Sequence, residues 1–330
     1  MIEVSGLTKQ YGHYVAVDGV TFAVARGELV GFLGPNGAGK STTLRMLAGY
    51  LGPTRGRIVV AGHDLAVDPE RAKRALGYLP ETCPLYPEMR VTEYLRFRAS
   101  LKGVPRRLRE GHVLRAVAQT QLVDVCGVRI GELSKGYRQR VGIADALVAD
   151  PPVLILDEPT AGLDPNQIRE VRTLLKELAE EKAILLSTHI LGEVDAICTR
   201  VLVLAKGKLV AEGPIAELTR QARTVGTGLR FRGRADLAQA LTLGFPEIAK
   251  AVVVERDDEQ MLCLYWRADA SGVASEAVVE ALVDKLIAAK LKVRGTVELA
   301  EREGTGLEAV FASLTRADAG ALPESAEETR

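Results

Sequence analysis

A glycine-rich run that ends in lysine and serine is the first part of the sequence whose residue types and spacing could do chemistry. It reads Gly34-Pro35-Asn36-Gly37-Ala38-Gly39-Lys40-Ser41 and fits the pattern G-x-x-x-x-G-K-S. In such a run the glycines let backbone N–H groups point at an anion, the lysine reaches the outer phosphates of a nucleotide, and the serine can bind Mg²⁺. Residue frequencies give a chance match on the order of one per hundred chains of this length. We therefore interpret the run as a phosphate-binding loop, with Thr42 as a further contact.

Two adjacent carboxylates form a second candidate site. Asp157 and Glu158 follow the apolar run 153–156, which predicts that they lie at the carboxyl end of a strand, where α/β proteins bind ligands. Asp157 could hold Mg²⁺, directly or through water, and Glu158 could act as the general base that polarises water attacking a γ-phosphate. In isolation the pair could also be a solvated strand end or the acidic start of a helix. The phosphate-binding loop in the same chain favours the catalytic interpretation.

These groups need a scaffold that brings them to one edge of a sheet, and the apolar pattern predicts one. Strand-like runs alternate with helical stretches over the first two-thirds of the chain, which indicates an α/β fold with a parallel sheet and crossover helices. The pairs are Leu29–Leu33 with a helix from Ser41, 153–156 with a helix from Pro165, and Ala183–Ser187 with a helix from Leu191. With the loop, this pattern predicts the core of a P-loop NTPase.

Other segments predict additions to this core. Short runs at 4–8, 15–24 and 58–60 indicate an antiparallel β flank, and 91–149 is predominantly helical in pattern. Beyond Pro214 the order becomes strand, helix, two strands, helix, strand, which is that of a ferredoxin-like α+β domain. Its predicted elements are strand 229–232, helix 236–242, a hairpin of 251–256 and 261–267 around Asp257-Asp258, helix 275–289 and strand 293–299. The apolar face of the second helix is predicted to consist of Val278, Ala281, Leu282, Leu286 and Ala289.

These elements predict two domains and a tail. We expect a nucleotide-binding domain over residues 1–218, with a helical subdomain at about 85–150. A small accessory domain is expected over 219–316. The last residues, 317–330, are rich in alanine and glutamate and are expected to be disordered.

Composition argues against several classes of function. Lys plus Arg and Asp plus Glu both number 43, so the formal net charge is +0 and no nucleic-acid partner is indicated. No run approaches the ~18 consecutive apolar residues of a membrane span, and the N-terminus lacks a signal-peptide pattern, so we expect a soluble intracellular chain. The four cysteines are scattered without a C-x-x-C pair, which predicts neither a zinc site nor a disulfide framework.

A third motif points to a family. The run Leu133-Ser134-Lys135-Gly136-Tyr137-Arg138-Gln139-Arg140 resembles the signature, more usually LSGGQ, of the ABC (ATP-binding cassette) ATPases. Leu133, Ser134 and Gly136 are kept, whereas Lys135 and Tyr137 depart from it. The resemblance covers about residues 1–218 and implies that the signature caps the γ-phosphate of ATP held by the opposite subunit. A helix beginning here would attract phosphate, although Ser134 could equally be an ordinary helix N-cap.

Further positions match the same family. Asp164, in Ala161-Gly162-Leu163-Asp164, resembles its D-loop residue and is also a strong helix start. His189 resembles the switch histidine, which would hydrogen-bond the γ-phosphate and orient Glu158. Tyr11 resembles the aromatic residue that stacks on adenine, with ordinary packing as a serious alternative.

Glu81 stands where the family has its Q-loop glutamine, in Gly77-Tyr78-Leu79-Pro80-Glu81. A carboxylate can still bind Mg²⁺ because it is a hard oxygen donor, but it adds negative charge near the phosphates. Together with the signature, Glu81 narrows the resemblance to ATPase subunits of type-2 ABC exporters, the gliding-motility, multidrug and sodium-extrusion group. Residues 307–311 are similar to that group's accessory domain.

The resemblance implies a transport motor. Two copies, expected to form a homodimer, would sandwich two molecules of Mg-ATP and drive a permease formed by a separate membrane chain. This subunit would then be cytoplasmic and peripheral on the inner face of the cell membrane. The permease contact is expected at Pro84, Leu85, Tyr86, Pro87, Met89 and Val91, for which ordinary subdomain packing is an equal alternative.

Two other classes of function are alternatives to the motor. A non-transport ABC ATPase acting in translation or on nucleic acid would usually carry two cassettes or long coiled-coil heptads, and neither is evident here. A regulatory module that binds nucleotide without turnover is disfavoured because Glu158 and His189 are both present. A measured ATPase rate separates this third class from the other two.

Overall fold

The computed structural model describes residues 1–222, 226–256, 259–266 and 272–299, together with residue 311. The chain divides into two compact units between Ile215 and Ala216, and the predicted boundary after residue 218 falls inside the helix Ile215–Ala222. The predicted tail 317–330, the turn at Asp257-Asp258 and all of 307–311 except Phe311 lie outside the described residues. No helix in the described part of the chain is long and apolar enough to cross a membrane.

The first unit is built from strands and helices in alternation. Its strands are β1 (Ile2–Tyr11), β2 (Tyr14–Val24), β3 (Leu29–Leu33), β4 (Arg55–Val60), β5 (His63–Asp64), β6 (Leu76–Leu79), β7 (Val153–Asp157), β8 (Ala183–Ser187), β9 (Arg200–Ala205) and β10 (Lys208–Pro214). Its helices are α1 (Lys40–Leu47), α2 (Pro69–Arg74), α3 (Val91–Leu101), α4 (Arg109–Gln119), α5 (Lys135–Leu147), α6 (Pro165–Ala179) and α7 (Leu191–Ile197), and α8 (Ile215–Ala222) follows β10.

The larger sheet has the strand order β10-β9-β3-β8-β7-β6. Its strands pair in parallel from β9 to β6, and only β10 is antiparallel to its neighbour. Every residue of β3, β7 and β8 is buried, as expected for parallel strands covered on both faces. The carboxyl ends of these three strands lie at one edge, so the phosphate-binding loop, Glu158 and His189 all follow strands at that edge.

The smaller sheet of the first unit, β2-β1-β4-β5, is antiparallel, which confirms the predicted β flank. One apolar cluster joins both sheets and α1, with Phe22 from the flank, Phe32 from β3 and Leu44 from α1 all buried. Helix α1 ends at Leu47. Gly49, at φ +71°, closes it with hydrogen bonds from its own N–H to Met46 O and from Tyr50 N–H to Arg45 O.

The helical part of the first unit comprises α3, α4 and α5 around an apolar cluster of its own. Tyr94 and Leu95 of α3 are fully buried in it. Asp145 of α5 accepts a hydrogen bond from Arg98 Nε at 2.8 Å and forms an ion pair with Lys102 Nζ at 3.1 Å. These contacts join α3 to α5, which begins within the predicted signature.

The second unit has the predicted strand and helix order. Its elements are β11 (Gly226–Arg232), α9 (Ala235–Leu241), β12 (Ile248–Arg256), β13 (Glu259–Trp266), α10 (Gly272–Ala288) and β14 (Lys292–Leu299). The antiparallel sheet β12-β13-β11-β14 has the arrangement of a ferredoxin-like domain. On α10, Val278, Leu282 and Leu286 are buried as predicted, but Ala281 is exposed because Val279 and Val283 complete the apolar face on its other side.

Candidate functional site

The phosphate-binding loop joins β3 to α1 in a conformation that requires its glycines. Gly37 and Gly39 have φ values of +80° and +101°, which side chains with a Cβ rarely adopt. A Cβ on Gly34 would lie 2.4 Å from the carbonyl oxygen of Leu204 in β9. The loop therefore depends on the strand beside it as well as on its own residues. Ser41 and Thr42 are half-buried in the first turn of α1, and the Thr43 hydroxyl donates to Gly39 O at 2.9 Å.

Lys40 points back across the loop. Its Nζ donates to Gly34 O at 2.6 Å and to Pro35 O at 3.1 Å, and the residue is buried. Burial lowers the pKa of Lys40, while the negative charges of Glu158, Asp157 and Glu81 raise it in opposition. A lysine with three carboxylates in its field lies at the centre of a strongly polar site.

The two carboxylates after β7 occupy different surroundings. Burial raises the pKa of Asp157, and the nearby charges of Glu81 and Glu158 raise it further. Glu158 has a φ of +51°, and its N–H donates to Ser187 O at 2.9 Å. Its Oε1 lies 2.9 Å from His189 Nδ1, whereas its Oε2 is buried and makes no hydrogen bond with the described residues. Of the two carboxylate oxygens of Glu158, only Oε1 therefore has a hydrogen-bond partner among the described residues.

His189 and Glu81 complete the set that the structure brings together. The His189 side chain is 63% exposed, so the ring can bond Glu158 and still reach a ligand from solvent. Glu81 is exposed just beyond β6, close enough to Lys40 and Asp157 to influence the pKa of both. No group of three or more His, Cys, Asp or Glu side chains among the described residues could hold a metal ion by itself.

The structure does not bring the remaining predicted residues to the phosphate-binding loop. Ser134 caps α5 by accepting from Tyr137 N–H at 3.3 Å, and Gly136 is buried where a Cβ would lie 2.4 Å from the Gln167 amide. Asp164 caps α6, accepting from the N–H groups of Asn166 and Gln167. Among the described residues, none of Ser134, Gly136 and Asp164 forms a hydrogen bond or ion pair with the phosphate-binding loop.

Tyr11 lies at the end of β1, next to the tight turn into β2. It is 49% exposed, and Lys9 Nζ lies 5.2 Å from the centre of its ring. A tyrosine with this exposure is not packed in the apolar core. Its ring is accessible to a planar ligand from solvent.

The predicted permease contact divides into two groups. Pro84, Tyr86 and Pro87 are exposed, but Val91 is fully buried in the helical cluster, and Leu85 and Met89 pack partly against it. Val91 is therefore a packing residue, because the first turn of α3 faces the cluster. A cavity of about 680 Å³ opens beside this segment, between Glu81, Leu85 and Pro87 on one side and Lys135, Arg138 and Gln139 on the other.

Three buried polar residues near Glu158 and His189 were missed by the sequence analysis. They are Thr160, Thr188 and Glu193, and both threonine hydroxyls donate to one oxygen of Glu193, at 2.6 and 3.2 Å. No sequence motif marks these residues, because a glutamate in the first turn of a helix is commonly a surface residue that interacts favourably with the helix dipole.

The chain has clear similarity to known proteins. A family model described as ABC transporter matches residues 17–161. The chain is 38% identical over 224 residues to the uncharacterized ABC transporter ATP-binding protein YxlF of Bacillus subtilis (strain 168), a match covering 68% of this chain and 74% of that protein. It is also 38% identical over 225 residues to the bacitracin transport ATP-binding protein BcrA of Bacillus licheniformis, covering 68% of this chain and 72% of that protein.

Solved structures of ATP-binding cassettes are also similar to this chain in fold. One is the dimeric, post-hydrolysis structure of the ATP-binding cassette MJ0796 bound to ADP and Pi. It matches with a TM-score of 0.59 and 25% sequence identity, covering 65% of this chain and 98% of that chain. The similarity therefore includes nearly the whole of a cassette that binds nucleotide.

Proposed function

This chain belongs to the family of ABC transporter ATP-binding proteins, and from that membership we propose that it is the ATP-hydrolysing motor subunit of an exporter. The observation that carries the proposal is the meeting of Lys40 with Asp157, Glu158 and His189 at one edge of the parallel sheet. The permease through which the cargo passes is a separate membrane chain. The bacitracin transport ATP-binding protein among the relatives supports transport as the process that the motor drives.

Phosphates bind along the loop from Gly34 to Ser41 and at Thr42. Asn36 and Gly37 supply backbone N–H groups to the loop before α1, whereas Pro35 has none and the Ala38 N–H donates to Pro35 O at 3.2 Å. Lys40 Nζ, which bonds two loop carbonyls, exchanges these for oxygens of the outer phosphates. Tyr11 stacks on the adenine with its exposed ring.

Mg²⁺ fits the oxygen donors at this site. Mg²⁺ is usually held by one or two carboxylates plus substrate phosphates rather than by a cage of protein ligands, and the described residues form no such cage. The ligands would be the Ser41 hydroxyl, Asp157 and Glu81. The raised pKa of buried Asp157 shows the cost of its negative charge, which a cation would offset. The ion would neutralise charge on the phosphates during hydrolysis.

Glu158 acts as the general base. Its Oε2 is buried without a partner in the described residues, so it can accept a proton from the attacking water. Its Oε1 is held by His189 at 2.9 Å, which fixes the carboxylate. His189, largely exposed, also hydrogen-bonds the γ-phosphate and so connects the base to the group being transferred.

A second copy of the chain completes each site. Ser134 and Gly136 lie at the start of α5 without contact to their own phosphate-binding loop, and a helix start attracts phosphate. They would cap the γ-phosphate bound by the opposite copy, with Asp164 beside them at the start of α6. The dimeric cassette among the solved structures supports this arrangement.

The permease docks on the exposed residues beside the cavity at Glu81. Tyr86 is 42% exposed and its ring lies 5.8 Å from that of Tyr94 and 5.9 Å from that of Phe97. An exposed aromatic group of this kind marks an interaction surface. Docking here would place the chain on the inner face of the cell membrane.

Copurification tests the motor function. Tagged wild-type chain extracted from membranes with mild detergent is expected to bring down a protein with several apolar segments of about 20 residues. Tyr86→Arg should lose that protein and keep ATP binding, because the Tyr86 ring packs against Tyr94 and Phe97 of α3 and is not among the residues assigned to phosphate. Val67→Arg, at a residue that is 82% exposed, is the matched control and should retain it. Equal recovery by all three chains would contradict the docking surface, and a chain found only in the soluble fraction would contradict the motor.

A further inference from the structure

The carboxylate of Glu193 joins the two loops that carry Glu158 and His189. Its Oε2 accepts hydrogen bonds from Thr160 Oγ1 at 2.6 Å and from Thr188 Oγ1 at 3.2 Å. Thr160 lies two residues after Glu158, and Thr188 immediately precedes His189. All three bonded residues are buried, and Glu193 is only 1% exposed. One side chain therefore connects the end of β7 to the end of β8.

The contacts of Thr188 fix the direction of its hydroxyl. Its Oγ1 accepts from Ile190 N–H at 3.1 Å, so its proton is free to be donated to Glu193. The threonine thereby holds the backbone on both sides of His189. A backbone hydrogen bond from Glu158 N–H to Ser187 O also joins the two loops.

Burial of the Glu193 carboxylate is energetically unfavourable if the residue serves only for packing. Its Oε1 is buried and makes no hydrogen bond with the described residues, and a buried carboxylate without full hydrogen bonding loses much of its solvation. The first turn of α7 offsets part of that loss through the helix dipole. An apolar residue of similar volume would pack with less loss of solvation, so stability alone does not explain a glutamate here.

We infer that Glu193 is a positioning residue for ATP hydrolysis, which holds Glu158 and His189 at their 2.9 Å separation through Thr160 and Thr188. The inference rests on the roles proposed above for Glu158 and His189. Glu193 touches neither nucleotide nor water in this role. It acts by holding the loop after β7, which carries the base, next to the loop after β8, which carries the histidine.

Two substitutions of Glu193 separate positioning from stability. Glu193→Ala removes both hydroxyl contacts and is expected to lower kcat about 10- to 100-fold, the effect of a small misplacement of reacting groups. The KM for ATP should stay within about threefold, because Lys40 and its loop are untouched. Glu193→Gln can place its amide oxygen at the two threonine hydroxyls and should recover most of the lost kcat.

The glutamine variant is expected to be less stable than wild type even though it turns over. Its amide N–H₂ would replace Oε1, which is buried without a hydrogen-bond partner among the described residues, so two buried N–H donors would need acceptors that Oε1 did not need. Its urea midpoint should therefore fall while kcat is largely restored. Glu177→Gln, the same chemical change on the exposed surface of α6, is the matched control and should alter neither quantity.

The threonines provide a second, independent measurement. Thr160→Val and Thr188→Val should each lower kcat, and adding Glu193→Ala to the double valine variant should lower it little further, because residues acting as one unit are not additive. Full additivity would overturn the inference.

Three outcomes distinguish the inference from the proposed function beneath it. A Glu193→Ala protein with wild-type kcat, beside an inactive Glu158→Gln protein, would overturn only the positioning role. Parallel loss of kcat and stability in both Glu193 variants, without recovery by glutamine, would also overturn it. Normal turnover by Glu158→Gln would instead contradict the proposed base, and the coupling among Glu193, Thr160 and Thr188 would then have no catalytic group to position.

Discussion

Lys40→Met removes the ammonium from the centre of the site and keeps most of the side-chain stem. In the structure Nζ makes two hydrogen bonds, to Gly34 O and Pro35 O, and we expect it to make as many to phosphate oxygens. A hydrogen bond to a charged group contributes about 1.5–3 kcal/mol, so the loss of two should cost about 3–6 kcal/mol. That corresponds to ATP binding weaker by about 10²- to 10⁴-fold. Isothermal titration with ATP measures the change directly.

The matched control is a second largely buried lysine elsewhere in the first unit. Lys102 pairs with Asp145 between α3 and α5, and burial lowers the pKa of Lys102 as it does that of Lys40. Lys102→Met should lower the free energy of unfolding, because Asp145 loses a partner, and should leave ATP affinity unchanged. ATP affinity within about threefold of wild type for a folded Lys40→Met protein would refute the assignment of this loop. An equal loss of affinity in both variants would show that the effect is structural.

Three further predictions address other parts of the chain. Glu81→Gln should keep ATPase activity within about an order of magnitude, since either side chain offers Mg²⁺ an oxygen, and complete loss of turnover would show that the charge is required. Deleting residues 223–330 should leave ATP affinity intact, because every residue assigned to phosphate precedes residue 190; a folded truncation that cannot bind ATP would contradict this. Burial raises the pKa of Cys83 to about 11, so at pH 8 its alkylation by iodoacetamide, followed by mass spectrometry, should be about 10²-fold slower than that of a free cysteine.

The local parts of the site were predictable from the sequence. The phosphate-binding loop and the Asp157–Glu158 pair are contiguous motifs, each next to an apolar strand, so residue order alone carries most of their geometry. The helix start at Pro165 was also predicted, because Asp164 before proline is a strong N-cap. The strand and helix order of the second unit followed from alternation in the apolar pattern.

Features set by tertiary contacts were not predictable in this way. Strand β6 spans only Leu76–Leu79 and contains a glycine, so its pattern is too short to identify without the neighbouring β7. Glu193 is distant in sequence from Thr160, and only the adjacency of β7 and β8 brings the two together. For Val91 the sequence left a permease contact and subdomain packing as equal alternatives, and the direction of α3, which buries the side chain, favours packing.

The central claim is that Glu158 is the base of an ATPase whose sites form between two copies. Phosphate release and sedimentation of Glu158→Gln, with and without Mg-ATP, test it most directly. The account predicts hydrolysis slower by about 10²- to 10⁴-fold, retained ATP binding and an ATP-dependent dimer, because glutamine keeps the shape and removes a negative charge beside the γ-phosphate. Adding Ser134→Arg should abolish that dimer by placing a bulky cation at the start of α5. Normal turnover by Glu158→Gln would contradict the base, and an ATP-bound protein that stays monomeric would contradict the shared site.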